Sequence, residues 1–209
     1  MGYRALNEAD LIEEVIAFDG RELTVLRPRE ADALIDEGAF DTDEFIPYWA
    51  DLWPSAILLA RAIADRALRG ARVLELGCGL GLPSLAVALA GGRALASDWA
   101  PDALEAVRSN AARNELVVDT LVSDWREPAE LLARGPFDLV IAADVLYERR
   151  NVAPVTDLLM TLDTEVWLAD PGRSPAAEMV AELELAGWES STLAATQRPR
   201  VTVHRLRPG

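Results

Sequence analysis

Val73–Trp99 reads VLELGCGLGLPSLAVALAGGRALASDW, and this stretch decides the fold. It opens on a short apolar run and passes through three glycines at alternate positions, Gly77, Gly79 and Gly81. It continues in an alanine- and leucine-rich segment and closes on a second apolar run ended by Asp98. Strand, tight turn, helix and strand in that order make a βαβ unit, which implies parallel strands joined by a crossover helix. Glycines at the first turn let the backbone approach a ligand closely, because no side chain stands in the way.

The pattern continues toward the C-terminus. After VLEL come a helix from Pro83, the strand RALASD, a helix over Pro101 to Asn114, and the strand VVDTLVSD. Next are FDLVIAAD, a helix over Asn151 to Leu162, EVWLAD, a helix over Ser174 to Leu185, and the strands WESSTLA and RVTVHRLR. Alternation of this kind predicts an α/β fold, a doubly wound Rossmann-like sheet. The last two strands have no helix between them, so they form an antiparallel hairpin at one edge, with a turn-rich connection over Ala194 to Arg200. Toward the N-terminus, Glu13 to Phe18 and Glu22 to Leu26 flank Asp19-Gly20, a hairpin turn signal. Arg29 to Glu37 reads as a short helix ended by Gly38, and FIPYWADLWPS leads into a helix over Ala56 to Leu68. The expected organisation is an N-terminal hairpin and cleft-closing segment over 1–55, then one compact unit over 56–209.

Composition narrows the partners. The formal net charge of -15 argues against nucleic acid, which needs a positive footprint to displace counterions. No apolar run reaches the roughly 18 residues of a membrane span. The acidic start MGYRALNEADLIEE lacks the layout of a secretory signal, and one cysteine cannot build a disulfide framework, so a cytoplasmic location is expected. All 20 basic residues are arginine, a bias that GC-rich coding explains more readily than avoidance of self-modification on lysine. With one cysteine and one histidine, no metal site of the usual zinc-ligand types is expected.

The ligand class follows from the acids around the glycines. A dinucleotide fingerprint wants a third glycine or alanine at position 82, where this chain has Leu82. Glu75, two residues before Gly77, would repel a pyrophosphate but welcome a cation. S-adenosylmethionine carries a sulfonium and an α-ammonium. Asp98 ends the second strand where an acid accepts ribose hydroxyls, Trp99 can lie against adenine, and Asp124-Trp125 repeats the pairing one strand later. Asp124 has a plain alternative as a helix cap. Cys78 reads as a small loop residue rather than a nucleophile, and His204 as a structural residue on a late strand.

These residues resemble the seven-strand S-adenosylmethionine-dependent methyltransferases, over nearly the whole chain. The segment PYWADLWPS, with Trp49 and Trp53, together with FDLVIAADVLY, in which Asp144 and Tyr147 form a D-x-x-Y motif, is similar to the branch of protein lysine methyltransferases. LADPGR, Asp170 to Arg173, resembles the enzymes that methylate lysine on the electron transfer flavoprotein β subunit and their bacterial relatives. The resemblance implies strand order 3-2-1-4-5-7-6 with strand 7 antiparallel. It implies that Glu75, Gly77, Cys78, Gly79 and Gly81 surround the methionine part of S-adenosyl-L-methionine. Asp98 and Trp99 would take the ribose and adenine, Asp124 and Trp125 the adenine, and Ala143 and Trp53 would complete the cofactor site. Asp144 and Tyr147 would be catalytic, with Trp49, Asp170 and Arg173 on the substrate side. Trp49 and Trp53 have an alternative as anchors of the N-terminal segment, and Asp170-Pro-Gly-Arg173 as a simple turn.

The implied reaction is transfer of a methyl group to a lysine side chain of a protein, with no metal. Asp144 is expected to position the amine rather than act as base, since a bare carboxylate favours the ammonium. A small-molecule N- or O-methyltransferase is the alternative. An NAD-linked oxidoreductase is disfavoured by Leu82 and Glu75, and a non-catalytic cofactor-binding module shares the same fold.

Overall fold

The computed structural model describes residues 10–18, 20–34 and 47–209. The hairpin strands are β1 (Leu11–Phe18) and β2 (Arg21–Pro28). After them come α1 (Pro54–Ala64), β3 (Arg72–Leu76), α2 (Leu82–Leu89), β4 (Arg93–Asp98), α3 (Pro101–Arg113) and β5 (Asp119–Val122). The chain then forms α4 (Ala129–Ala133), β6 (Leu139–Ala143), α5 (Val152–Leu162), β7 (Val166–Asp170), α6 (Ser174–Leu185), β8 (Glu189–Gln197) and β9 (Arg200–Arg207).

The main sheet runs β5-β4-β3-β6-β7-β9-β8. Counted from β3, this is the expected order 3-2-1-4-5-7-6. β9 is antiparallel to both its neighbours, as expected of the seventh strand. Alternation along each strand feeds two cores. Val73, Ile141, Trp167 and Val203 face α1 and α2, while Leu74, Val140, Leu168 and Leu206 face α5 and α6. Both faces are covered, which is why the central strands read as unbroken apolar runs rather than as alternating ones.

Several expectations differ in detail: the helix expected over Ala56 to Leu68 is α1, which starts at Pro54 and ends at Ala64. The expected helix over Arg29 to Glu37 is a 3-10 turn over Ala31–Leu34 within the described residues, and its end at Gly38 lies outside them. The connection Ala194 to Arg200 is mostly strand. β8 continues to Gln197 and β9 starts at Arg200, with a register shift between Thr192 and Ala194 taking up the mismatch. The short helix α4 was not anticipated, because five residues between Pro128 and Gly135 are too few to show a period.

The N-terminal hairpin is fastened by two asparagines, Asn110 of α3 and Asn114 at its C-terminal cap. Asn114 accepts the Thr24 N–H at 2.8 Å and donates to its carbonyl at 2.7 Å. Asn110 accepts the Leu26 N–H at 2.7 Å and donates to Leu26 O at 3.3 Å. Four helical residues rise about 6 Å and two strand residues span about 6.6 Å, so the two amides match alternate backbone groups along β2. Asn110 also donates to Leu80 O at 3.1 Å, which ties the hairpin to the glycine loop.

Candidate active site

A cavity of about 390 Å³ opens over the C-terminal ends of β3, β4 and β6. Doubly wound sheets bind ligands at this end, and the strand order reverses between β3 and β6. Gly77, Cys78, Gly79 and Gly81 form its floor, with Glu75 beneath and Asp98, Trp99 and Trp125 on one side. Ala143, Asp144 and Tyr147 line another side, Trp49 and Trp53 close it from the N-terminal segment, and Arg173 reaches in from the turn after β7.

Glycine is required in the loop partly for packing. At Gly81, φ is 78° and an added Cβ would lie 2.7 Å from Val107 Cγ2 of α3. At Gly79, φ is 50° and a Cβ would meet the Trp49 carbonyl oxygen at 3.1 Å. The loop therefore seats the α2–α3 contact and the tryptophan segment as well as leaving room for a ligand.

The acids are held in place. Glu75 is buried, and its Oε2 accepts the Ser84 N–H at 2.9 Å and the Ser84 hydroxyl. It thus caps the first turn of α2, a structural role that the sequence reading did not assign to it. Burial pushes its pKa up to about 8, against the lowering effect of the Ser84 bonds. Asp98 accepts the Gly79 N–H on Oδ2 and the Ala100 N–H on Oδ1, each at 3.0 Å, and burial raises its pKa as well. Cys78 is buried and burial holds its thiol protonated, consistent with a loop residue rather than a nucleophile.

Asp144 sits at the end of β6 with φ of 58°, a left-handed conformation that a non-glycine residue adopts at a cost and that concentrates at functional positions. Its Oδ1 accepts Arg173 Nε at 2.8 Å, and its Oδ2 accepts the Ser55 hydroxyl at 3.4 Å. Tyr147 stands 5.0 Å from Tyr48 between ring centroids. Partial burial pushes the Tyr147 phenol up to about 12, so it is a hydrogen-bond donor rather than a base at neutral pH.

Two predicted residues lie apart from this cavity. Asp124 lines an adjoining one of about 180 Å³, shared with Trp99, Trp125 and Tyr147, and its oxygens take the Arg126 N–H at 2.9 Å and the Arg126 guanidinium at 3.4 Å. Asp170 is buried behind the wall, where its Oδ1 accepts the N–H groups of Gly172 and Arg173 at 2.6 Å each. It shapes the turn that presents Arg173 rather than lining the cavity. His204 pairs with Leu168 across β7 and β9, and burial lowers its pKa, in keeping with a structural residue. Tyr48, Ser55 and Glu148 were missed. Tyr48 and Ser55 stand within PYWADLWPS and Glu148 directly follows D-x-x-Y, so adjacency was the only available signal.

The residues fit S-adenosylmethionine. The volume lies within the range of roughly 300–1,000 Å³ typical of small-molecule sites, and Glu75 and Asp98 suit a cation and a ribose. The buried Trp125 Nε1 has no hydrogen-bond partner among the described residues, so a donor is ready for a ligand acceptor. Fold and site together match the class of Rossmann-like, S-adenosylmethionine-dependent methyltransferases. The chain belongs to the lysine methyltransferase family, whose model matches residues 48–168.

The electron transfer flavoprotein β subunit lysine methyltransferase of Xenopus laevis is 34% identical over 61% of this chain and 54% of its own length. The histone-arginine methyltransferase METTL23 of Homo sapiens is 32% identical over 66% of this chain and 77% of its own. The chain spans about half the length of the electron transfer flavoprotein relatives it matches. Among solved structures, the T. thermophilus 16S rRNA N2 G1207 methyltransferase, in complex with AdoMet and guanosine, superposes with a TM-score of 0.66 at 16% identity. It covers 95% of this chain and 51% of that one, a likeness of fold.

Proposed function

We propose that the protein transfers the methyl group of S-adenosylmethionine to a lysine side chain of a protein substrate. The observation that carries this reading is the meeting, in one cavity, of the glycine loop and its acids with the Asp144–Tyr147 motif. The lysine family match and the electron transfer flavoprotein relatives support the choice of acceptor. The net charge of -15 favours a basic partner surface. The one-cysteine composition supports a cytoplasmic setting.

When bound, S-adenosylmethionine supplies a methyl on a sulfonium; the acceptor nitrogen's lone pair forms the N–C bond as the C–S bond breaks and the neutral thioether leaves. The chain's part is to place the acceptor and exclude water. Glu75 and Asp98 take the cationic and ribose portions of the cofactor, and the Trp125 N–H offers it a donor. Tyr48 and Tyr147 wall the acceptor side, where desolvation favours an uncharged amine. Asp144 orients that amine by a hydrogen bond, and the proton it sheds after transfer goes to solvent.

Incubation of the purified protein and tritiated S-adenosylmethionine with lysate of the source organism tests the proposal. Discrete labelled protein bands, absent with Asp144→Ala, are expected. Label confined to the low-mass fraction would assign a small-molecule acceptor instead.

A further inference from the structure

The acceptor side of the cavity already holds a cation. Arg173 lies 29 residues beyond Asp144, yet its Nε reaches Asp144 Oδ1 at 2.8 Å, and its side chain is only 37% exposed. The turn that presents it is built for the purpose. Asp170 accepts the backbone N–H groups of both Gly172 and Arg173, and Gly172 holds φ of 94°. Ser55, in the first turn of α1, bonds the other oxygen of Asp144. A strained residue with both carboxylate oxygens held from two other elements has one orientation available to it.

The consequence concerns the state of the acceptor. A lysine amine attacks only when neutral, and a bare carboxylate within about 4–6 Å would hold it as ammonium. Among the described residues, the other charged or titratable groups that line the cavity with Asp144 and Arg173 are Glu148 and Tyr147 from the Asp144 loop, Tyr48 and Asp51 from the N-terminal segment, and Glu75, Cys78 and Asp98 on the glycine-loop side, with Asp170 behind. Glu148 is paired with Arg150. Arg173 is the cation bonded to Asp144.

We propose that Arg173 is a positioning residue of the acceptor site: it fixes the Asp144 carboxylate and cancels its charge, so that Asp144 accepts a hydrogen bond from the amine without stabilising the ammonium. This deepens the lysine reading and rests on it. Arg173 does not touch the reacting atoms; it acts through Asp144.

The test compares wild type, Arg173→Gln and Arg173→Lys for tritium transfer to lysate protein between pH 6.5 and 10, with cofactor affinity measured by calorimetry. Arg173→Gln leaves Asp144 uncompensated, so the rising limb of its rate profile is expected to move alkaline by one pH unit or more. That means roughly a tenfold loss near pH 7.5 that closes at high pH, with unchanged cofactor affinity. Arg173→Lys, which keeps the charge, should return the midpoint to that of wild type even if its rate is lower. A loss by the same factor at every pH, or no loss, overturns the proposal, since a merely structural role would not move the midpoint. Absence of lysine label with wild type is a different result: it removes the lysine reading and this inference with it.

Discussion

Replacing Glu75 by glutamine removes one buried titratable group and changes little else. The amide oxygen can still accept the Ser84 N–H, which Glu75 takes at 2.9 Å. In the folded protein burial raises this carboxyl from 4.5 to about 8, so the fold retains a proton that the unfolded chain has released. Stability from this group is therefore full below pH 4.5 and is lost as pH rises through about 8. The whole rise corresponds to roughly 5 kcal/mol, of which about 3 kcal/mol is already lost at pH 7. Glu75→Gln escapes that loss. It should match wild type near pH 4.5 and exceed it by about 3 kcal/mol at pH 7, a gain of roughly 6–12 °C in Tm for a chain of this size. Thermal unfolding of the cofactor-free protein from pH 4.5 to 9 is the assay. A stability difference that does not change with pH would refute the reasoning, because it would place the effect in packing rather than in a desolvated charge.

The other predictions concern the loop, the hairpin and the ligand. Asp144→Ala should lose at least a hundredfold in methyl transfer while cofactor affinity by calorimetry stays within about threefold, as a residue on the acceptor side requires. Gly81→Ala drives a Cβ to within 2.7 Å of Val107 and strains a positive φ, so a destabilisation of about 2–4 kcal/mol is expected in denaturant unfolding, partly relieved by adding Val107→Ala. Asn110→Ala strips partners from Leu26 and Leu80 at once and should cost about 2–3 kcal/mol, with earlier amide exchange in β2 than elsewhere. Trp125→Phe keeps the ring wall but removes its unpartnered N–H, so cofactor affinity should fall about fivefold to tenfold with unfolding unchanged.

The parallel sheet was legible because its central strands are short, largely apolar runs that alternate with helices and are bounded by turn residues; its order, 3-2-1-4-5-7-6, came through the family resemblance. RALASD, SPAAEMVAELEL and RVTVHRLR carry such clear edges that the observed bounds coincide with those read from sequence. The cofactor side was legible for a related reason: Glu75, the glycines and Asp98 lie within 24 consecutive residues of one βαβ unit. What escaped were the particular side-chain bonds between residues distant in sequence. The Asn110 and Asn114 bonds to β2 join positions 84 and 90 apart, and the Asp144–Arg173 and Asp144–Ser55 bonds join positions 29 and 89 apart. Neither asparagine has a local pattern, since both read as ordinary polar positions on an amphipathic helix. Glu75 was read only as a receiver for a cation. Its second task, capping α2, depends on the helix folding back over β3 so that Ser84 meets it.

The family relatives divide between lysine and arginine as the modified residue, so the central claim turns on which one carries the methyl group. The most direct measurement is acid hydrolysis of protein labelled by this enzyme with tritiated S-adenosylmethionine, followed by amino-acid analysis. Label that runs with methylated lysine, and that is missing when Asp144→Ala replaces wild type, is the expected result. Label in methylated arginine, or none in protein, would contradict it.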